Sequence, residues 1–411
     1  MAGIKNVVVI GGGAAGMMAA ITAAQNGNFV TLVEKNTRLG RKLAITGKGR
    51  CNLTNNCNGQ TLIANIPQNG KFLYSAFSVF NSQSTMSFFE NAGVPLKTER
   101  GNRVFPVSDK ALDIVDALAK TLKKHNVKVL KGTVININVN ENSVTGVTLN
   151  SGSVISADAV ILATGGKSYP LTGSTGDGYV LAQKLGHTVT KLLPSLVPLV
   201  AHQGFCTELA GLSLKNVTLS VFEEGTQKPV FFEQGEMLFT HFGISGPLVL
   251  SASAHMRKMG EKSYTAVIDL KPALTAEQLD NRILRDFSLA LNKNFRNALG
   301  SLLPQKLIPV IVKLSGINGN TKINAVTKEQ RTALCSFIKN LTVNITEFAD
   351  ISEAIVTRGG ISVKEIEPQT MHSKLVKGLS FAGEIIDVDA YTGGFNLQIA
   401  FSTGYIAGGN V

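Results

Sequence analysis

A glycine-rich turn between a short apolar run and a small-residue helix constrains the fold of this 411-residue chain more than any other feature. The N-terminal segment reads KNVVVI, then GGGAAG, then MMAAITAAQN, and FVTLVE follows after Gly27. The two apolar runs have the length and β-branched content of strands, whereas the segment between them has the composition of a helix that glycine ends. Residues 5–34 therefore predict a strand, loop, helix and strand, which is the repeating unit of a parallel α/β sheet.

Three glycines of that turn, Gly11, Gly13 and Gly16, form the pattern G-x-G-x-x-G. Glycine lets the turn tighten and lets a pyrophosphate approach the backbone, while the N-terminus of the helix offers free N–H groups to the anion. Glu34 ends the second strand, where a carboxylate can accept hydrogen bonds from ribose hydroxyls. The pattern predicts a dinucleotide site, and a purely structural glycine turn is the alternative.

Three later segments favour FAD over NAD as that dinucleotide. LGRKLAITGKGRCN with its Gly-Arg step follows the first unit, AVILATGG occupies 159–166, and LSFAGEIIDVDAYTGGFNLQIAFSTG occupies 379–404. Segments of these kinds, in this order, are typical of FAD proteins of the glutathione-reductase type. A helix beginning near Gly394 can also aim its N–H groups and its dipole at the N1 and C2=O end of a flavin, which favours the anionic reduced ring.

In the rest of the chain the predicted secondary structure changes several times between helices and strands. We expect a helix over 108–126 with Ser108 as its cap, and alternating strands after it. The predicted fold class is α/β: a doubly wound, Rossmann-like FAD-binding domain of the glutathione-reductase type, with an inserted β-rich domain and a small helical subdomain. We expect the flavin at the carboxyl ends of the strands, under the inserted domain. The expected domains are residues 1–190 (FAD-binding domain, first part), 191–274 (inserted β-rich domain), 275–340 (helical subdomain), 341–352 (return to the β-rich domain) and 353–411 (FAD-binding domain, C-terminal part).

Longer segments carry a resemblance to a known family. GRKLAITGKGRCNLTN, GNRVFPVSDKA, PSLVPL, LFTHFGISGP, VTRGGISVKEIEPQTM and FAGEIIDVDAYTGGFNLQIAFSTG closely resemble the BaiN-like (YhiN-like) bacterial FAD-dependent oxidoreductases, which include aminoacetone oxidase-like flavoproteins. The resemblance covers the chain from end to end, and Val134 is placed by strand position rather than by a motif. It implies FAD contacts at Gly11, Gly13, Ala14, Ala15, Gly16, Glu34, Lys35, Arg41, Lys42, Val134, Thr164, Gly165, Gly383, Glu384, Asp387, Gly394, Phe395, Asn396 and Leu397.

The same resemblance implies a flavin that exchanges hydride at N5, with several substrate classes. These are reduction of a conjugated C=C bond in dehydro bile acids, reduction of uridine in ribosomal RNA, and oxidation of a small amine such as aminoacetone by dioxygen. A reductase is favoured because the chain has no tryptophan to build an aromatic cage for an amine. A non-enzymatic FAD-containing binding protein is the third interpretation.

The sequence indicates the electron donor less clearly than it indicates the flavin. Disulfide reductases of the glutathione-reductase type carry a second G-x-G-x-x-G in mid-chain, and the segment here that comes nearest, GSTGDG at 173–178, has its glycines in another order. We therefore expect NAD(P)H at most as a transient electron donor, with dioxygen or another reductant equally open.

Few polar residues qualify as catalytic candidates. Lys48 and Arg50 lie among glycines and can hold an anionic substrate, stabilise reduced flavin or simply build a loop. His241, in FTHFGISGP, is either a proton donor or a structural histidine. Cys51 and Cys57 are separated by five residues rather than by the four of disulfide reductases, so we expect TGKGRCN to be a loop packed near the flavin and not a redox pair. The histidines lack metal-ligand spacing, and no metal site is predicted.

Charge adds one partner hypothesis. The net charge is +12, and residues 271–343 hold eleven Lys or Arg against four Asp or Glu. Such a region either binds a polyanion such as RNA or is a solvated helical face. A small molecule or ribosomal RNA is thus the expected partner. The start of the chain lacks a signal-peptide pattern and no apolar run is long enough to cross a bilayer, so we expect a cytoplasmic protein without a membrane partner. The sequence does not set the oligomeric state.

Overall fold

A computed structural model describes residues 3–411, which form two compact units. The first unit joins the N-terminal segment up to Ser195 to Ile351–Val411, and the second spans Leu196–Asp350. Each unit has its own cluster of buried apolar side chains. No helix within residues 3–411 combines the length and the apolar content that crossing a membrane requires.

The strands are β1 Asn6–Ile10, β2 Phe29–Glu34, β3 Thr54–Asn55, β4 Leu96–Glu99, β5 Arg103–Pro106, β6 Lys128–Lys131, β7 Val134–Asn140, β8 Ser143–Leu149, β9 Val154–Ser156, β10 Ala159–Leu162, β11 Leu193–Ser195, β12 Leu199–Ala201, β13 Ser213–Glu223, β14 Phe231–Phe239, β15 Gly243–Ser245, β16 Tyr264–Asp269, β17 Leu341–Phe348, β18 Val356–Arg358 and β19 Leu379–Phe381.

The α-helices are α1 Ala14–Gln25, α2 Arg41–Gly49, α3 Gly59–Ala64, α4 Tyr74–Val79, α5 Ser82–Asn91, α6 Ala111–Lys124, α7 Asp177–Lys184, α8 Phe205–Glu208, α9 Pro247–His255, α10 Ala276–Ser288, α11 Phe295–Ala298, α12 Ile308–Ser315, α13 Lys328–Lys339 and α14 Phe395–Gly409.

The first unit is organised around a parallel sheet in the order β19-β10-β1-β2-β6. Its central strands, such as β1 (NVVVI) and β10 (AVIL), are apolar throughout, which is typical of a parallel sheet that is covered on both faces. The predicted strand, loop, helix and strand over residues 5–34 is confirmed, with β1 and β2 paired in parallel. Smaller antiparallel sheets, β3-β5-β4 and β7-β8-β9, and the pair β11-β18 complete this unit.

The second unit is built on a closed barrel in the order β12-β15-β14-β13-β16-β17. Burial alternates along its strands, as in β17 (LTVNITEF), which is expected when one face of each strand points into the barrel. Helices α10 to α13 are inserted between β16 and β17. Both α10 and α13 begin with a capping box, formed by Thr275 with Gln278 and by Thr327 with Gln330.

Two predicted helix starts have different outcomes. The helix expected over 108–126 begins only at Ala111, and Ser108 does not cap it. Asp109 adopts a positive φ of 57°, which interrupts helical geometry, and the Ser108 hydroxyl instead accepts a hydrogen bond from the Lys110 backbone N–H at 3.3 Å. The helix expected near Gly394 is confirmed: α14 begins at Phe395 with Gly394 at its N-cap.

Candidate functional site

The carboxylate of Glu34 is fixed beside the glycine-rich turn, at the carboxyl end of β2. Its Oε2 accepts a hydrogen bond from the Gly12 backbone N–H at 2.7 Å, and its Oε1 accepts from the backbone and side-chain nitrogens of Asn36, both at 2.7 Å. The residue is buried. A carboxylate held in this way keeps further lone pairs for ribose hydroxyls, so the donor and acceptor set suits the end of a dinucleotide that carries the adenosine.

The turn itself leaves room in front of helix α1. A Cβ added at Gly13, the N-cap of α1, would meet no heavy atom within 4 Å, whereas one added at Gly16 would lie 1.8 Å from the Gly11 carbonyl oxygen. Gly16 is therefore required for packing of the helix on the strand, and Gly13 leaves a space open at the helix end. The first N–H groups of a helix have no partner within the helix, so this space fits a pyrophosphate.

Lys35 and Arg41 form polar contacts near the carboxyl end of β2. The Lys35 ammonium pairs with Asp177 at 2.7 Å and also donates to the Thr175 hydroxyl at 2.7 Å. Arg41 is exposed and donates to the Asn36 side-chain oxygen at 2.8 Å. The sequence analysis missed Asp177 and Thr175, although they lie in the GSTGDG segment that it considered only as a nicotinamide site.

Lys42 and Glu384 meet although 342 residues separate them in sequence. The Lys42 ammonium lies 2.7 Å from Glu384 Oε2 and donates to the Ser168 hydroxyl at 2.7 Å. Glu384 Oε1 in turn accepts from the backbone N–H of Thr357 at 2.8 Å. Sequence reasoning missed Ser168 and Thr357, and only their positions beside ATGG and VTRGG could have indicated them.

Thr164 and Gly165 follow strand β10 in the ATGG segment. Gly165 has a φ of 75°, and the Thr164 hydroxyl oxygen is buried with no hydrogen-bond partner among residues 3–411. A buried hydroxyl without a partner is uncommon, and a polar group bound at the carboxyl end of β10 would satisfy it. This observation fits a cofactor at the position that the sequence predicted.

Gly394 places the N-terminus of α14, and no side chain caps the helix there. It has a φ of 97°, and its backbone N–H donates to Asn52 at 2.9 Å when the Asn52 amide is oriented to satisfy its neighbours. In that orientation Asn52 also donates to the carbonyls of Thr54 at 3.0 Å and Val104 at 3.2 Å. The loop that contains GRCN therefore fixes this helix end.

The remaining predicted residues of this region support the same helix end. Asn396 donates to the Ala390 carbonyl at 2.8 Å and accepts from the Ala390 N–H at 2.9 Å. Asp387 accepts from the Asn69 side chain, at 2.7 Å through its carbonyl oxygen and at 3.2 Å through its carboxylate. The first-turn backbone N–H groups, including those of Leu397, are thus held on a rigid frame, and a helix N-terminus favours negative charge. The turn Gly383–Ile385 is equally fixed, because the Gly383 N–H donates to the Thr403 hydroxyl at 2.9 Å.

A buried glutamine, missed in the sequence, ties this helix to its surroundings. Gln398 is fully buried, and its side-chain oxygen accepts from the hydroxyls of Thr54 at 2.5 Å and Thr85 at 2.9 Å. Its nitrogen donates to the Phe80 carbonyl at 3.1 Å and to the Ser402 hydroxyl at 2.8 Å. A polar residue inside the apolar run FNLQIAF was the available signal.

The TGKGRCN loop is a kinked end of α2 rather than a pair of reactive thiols. Lys48 and Cys51 both take a φ of 58°, a conformation that only a well-determined loop holds in residues other than glycine. Cys51 is fully buried, and desolvation raises the pKa of its thiol to about 12. Burial also raises the pKa of the half-buried Cys57. Both thiols are free and stay protonated at neutral pH, so neither is an activated nucleophile.

Arg50 is occupied by carboxylates. Its guanidinium lies 2.5 Å from both Glu99 and Asp109 and stacks over the Phe105 ring at 4.2 Å. The hydrogen bond from Arg50 lowers the pKa of Glu99, while Lys97 first and Arg50 second lower the pKa of Asp109. These contacts give Arg50 a role in holding the loop, and its suggested role toward an anionic substrate stays a prediction.

The other candidates lie in several different parts of the structure. Lys48 is exposed on the kinked loop. Val134 is buried at the start of β7, directly after the edge strand β6 that pairs with β2. His241 belongs to the second unit, where it is exposed and its ring contacts Phe242 edge-on at 5.0 Å. Ala14 and Ala15 lie in the first turn of α1, and Phe395 is buried. The roles assigned to these residues stay predictions.

Comparison with known proteins places this geometry in context. The family model described as "HI0933-like protein Rossmann domain" matches residues 5–410. The chain is 31% identical over 414 residues to a 3-dehydro-bile acid delta(4,6)-reductase of Clostridium scindens, covering 98% of each chain. It is 31% identical over 405 residues to a ribosomal RNA dihydrouridine synthase of Escherichia coli, covering 97% of this chain and 96% of the relative.

A solved structure shows the same fold at lower identity. The 3-ketosteroid-delta4-(5alpha)-dehydrogenase from Rhodococcus jostii matches with a TM-score of 0.51 and 16% identity, over 99% of this chain and 96% of that chain. The predicted fold class, a Rossmann-like α/β domain with an inserted β-rich domain, is confirmed.

Proposed function

The chain belongs to the HI0933-like family of Rossmann-type FAD-dependent oxidoreductases, and from that premise we propose that it reduces a C=C bond conjugated to a carbonyl group. A 3-dehydro bile acid with delta(4,6) unsaturation contains such a bond, and so does uridine, whose reduced form is dihydrouridine. The two relatives thus differ in substrate and share one type of bond. A small enone or a uracil base in ribosomal RNA is accordingly the proposed substrate class.

The frame around the N-terminus of α14 is the observation that carries the proposal. When bound, FAD supplies hydride transfer at flavin N5. The chain provides the uncapped N-terminus of α14, held by Asn52 on the Gly394 N–H at 2.9 Å and by Asn396 on Ala390. A fixed helix end would stabilise negative charge that develops next to it, whether on a bound flavin or on the carbonyl oxygen of an enone while its C=C bond is reduced.

The remaining contacts support binding of the cofactor. Glu34 is proposed to bind the ribose of the adenosine. The pyrophosphate is proposed to occupy the open space at Gly13, and the ion pair of Lys42 and Glu384 is proposed to contact the middle of the cofactor. Lys48, as the exposed cation of the kinked loop, is proposed to hold an anionic group of the substrate or of reduced flavin.

Electrons are proposed to arrive from NAD(P)H that binds transiently. The parallel sheet found within residues 3–411 is used by the dinucleotide site at Gly11 to Gly16, and the second unit is a barrel with inserted helices. We therefore propose that a nicotinamide and the substrate reach the flavin one after the other, as in a ping-pong reaction.

Anaerobic half-reactions test the proposal. The purified enzyme is photoreduced without oxygen and mixed with a 3-oxo steroid acid bearing a delta-4,6 diene, or with uridine-containing RNA, while the flavin absorbance is recorded. Reoxidation by the unsaturated compound and not by its saturated counterpart supports the proposal. Bleaching of the oxidised enzyme by aminoacetone, with peroxide formed on adding air, would replace it with an amine oxidase. Failure of every compound to change the flavin would favour a non-enzymatic protein.

A further inference from the structure

The second unit contains a long stretch without acidic residues. Residues 287–328 hold six Lys or Arg and no Asp or Glu, which is half of the net charge of +12 in 42 of the 411 residues. The stretch runs from the end of α10 through α11 and α12 to the start of α13. Self-repulsion makes such a concentration of one sign unfavourable unless an anionic partner compensates it.

Two segments of this stretch are paired, and the pairing gathers its cations. Phe295 N–H donates to the Thr321 carbonyl at 2.8 Å, and Ile323 N–H donates to the Lys293 carbonyl at 3.1 Å. Phe295 and Ile323 are buried, whereas the cations next to them in the two paired segments are exposed. The exposed set, here called the basic patch, consists of Lys293, Arg296 and Lys322.

The three cations of the basic patch lie close together and are exposed. Lys322 pairs with Asn294 as a β-bridge and donates to the Asn292 carbonyl at 3.0 Å. The stem of Arg296 packs along Gly319, three residues before Lys322, with its carbons 3.6 Å from the Cβ position of that glycine.

No carboxylate within residues 3–411 pairs with a cation of the basic patch. Three cations on the flanking helices are paired with carboxylates, whereas Arg285 of α10 and Lys328 of α13 are exposed and have no carboxylate partner among the described residues. Arg282 lies 2.9 Å from Asp286 on α10, and two cations of α13 lie 2.6 Å and 2.5 Å from carboxylates (Arg331 with Asp280, Lys339 with Asp269). Pairing with carboxylates therefore reduces the charge of the flanking helices, whereas all three cations of the basic patch stay uncompensated among the described residues.

We propose that the basic patch binds the phosphate backbone of RNA. The exposed side-chain amides of Asn292, Asn297 and Asn324 lie among its cations, and amides can both donate to and accept from bases and sugar hydroxyls. A lipid surface would instead require a broad apolar face, and only Leu289 and Leu291 are exposed beside the patch. The choice of RNA over other polyanions rests on the proposed function, in which a uracil base of RNA is one of the two substrate classes.

The expected size of the effect follows from counterion release. Each phosphate contact on single-stranded RNA contributes about 0.7 to the slope of log K against log salt, so removing three cations lowers the slope by about 2. Between 50 and 200 mM salt the affinity of the wild type should therefore fall about twentyfold more than that of a variant without the patch.

Fluorescence anisotropy with a labelled RNA hairpin that carries a uridine-rich loop tests the inference on the full-length, FAD-loaded protein. The test variant is K293A/R296A/K322A. The control, K120A/K123A/K124A, removes the same charge from exposed positions on α6 in the first unit. The patch variant should bind the hairpin about tenfold or more weakly at low salt with the shallower slope, and the control should bind like the wild type.

Several results would overturn the inference. They are equal weakening in both variants, no binding of the hairpin by the wild type, or patch-dependent binding of phosphatidylglycerol vesicles without binding of RNA. The flavin spectrum and the reoxidation by a small enone should be unchanged in the patch variant. If neither the enone nor uridine-containing RNA reoxidises the flavin in any of the proteins while RNA binding depends on the patch, the proposed function is wrong and the RNA surface stands.

Discussion

The added methyl group of Gly13→Ala should separate binding of FAD from folding. A Cβ at this position would meet no heavy atom within 4 Å, and the backbone angles of −83° and −171° suit any L-residue. Alanine is a poorer N-cap than glycine by some tenths of a kcal/mol, and it restricts the unfolded chain by about 0.4–1 kcal/mol, so the two effects nearly cancel. The free energy of unfolding of the apoprotein should change by less than about 1 kcal/mol.

The same methyl group lies where the pyrophosphate is proposed to approach the N-terminus of α1. Displacing a phosphate from that position breaks one charge-assisted hydrogen bond, which is worth about 1.5–3 kcal/mol. The Kd for FAD should therefore rise about 10- to 150-fold.

Two further alanine variants provide the contrast. Gly16→Ala places its Cβ 1.8 Å from the Gly11 carbonyl oxygen, so helix α1 has to move away from β1, and the apoprotein should lose about 3 kcal/mol or more. Gly204→Ala is the matched control, because Gly204 is also the N-cap of a helix with an open Cβ position, and it belongs to the second unit. It should change neither quantity.

Urea unfolding of the apoproteins and fluorescence titration with FAD measure the two quantities separately. A Gly13→Ala variant that binds FAD like the wild type would show that the glycine turn does not contact the cofactor. Loss of stability in the Gly13→Ala apoprotein would show that the space at the Gly13 Cβ position is not open.

Three other perturbations test particular contacts of the site. Asn52→Ala removes the acceptor of the Gly394 N–H and should lower the free energy of unfolding by about 1–2 kcal/mol in urea titrations; an unchanged midpoint would contradict the proposed anchor. Cys51 should resist a disulfide reagent in the native protein at pH 7 to 9, since burial raises its pKa to about 12, and Cys51→Ser should retain flavin; rapid labelling would contradict this. Asp109 has a lowered pKa through Lys97 and Arg50, so its contribution to stability is present above the unfolded pKa near 4 and is lost as the pH falls through the folded pKa. The stability difference between wild type and Asp109→Asn should thus be measurable at pH 7 and decrease as the pH falls below about 4, and a difference independent of pH would exclude these ion pairs as its cause.

The elements that could be predicted from the sequence are those defined by local chemistry. The strand KNVVVI, the glycine turn and Glu34 lie within 30 residues of one another, and period, glycine spacing and charge suffice to place them. The start of α14 could also be predicted, because Gly394 supplies a backbone conformation that other residues avoid.

The contacts that could not be predicted join distant segments. Nothing local to GRCN indicates that Asn52 accepts the N–H of Gly394, or that Arg50 is engaged by Glu99 and Asp109. In the sequence, Arg50 lies among glycines, which indicates a cation available to a ligand. The fold changes that interpretation, because it brings the two carboxylates to the guanidinium. Ser108 failed as a cap for a related reason, because the positive φ of the next residue delays the helix.

Mass spectrometry of a single anaerobic turnover tests directly whether the protein reduces a C=C bond that is conjugated to a carbonyl group. Enzyme with fully reduced FAD, and with no other reductant present, is mixed with an excess of the unsaturated 3-oxo steroid acid or of uridine-containing RNA, and the product is quantified against flavin. We expect one product molecule that has lost one C=C bond, and is therefore two hydrogen atoms heavier than the substrate, for each FAD reoxidised. An unchanged substrate mass beside fully reduced FAD, with both compounds, would contradict it.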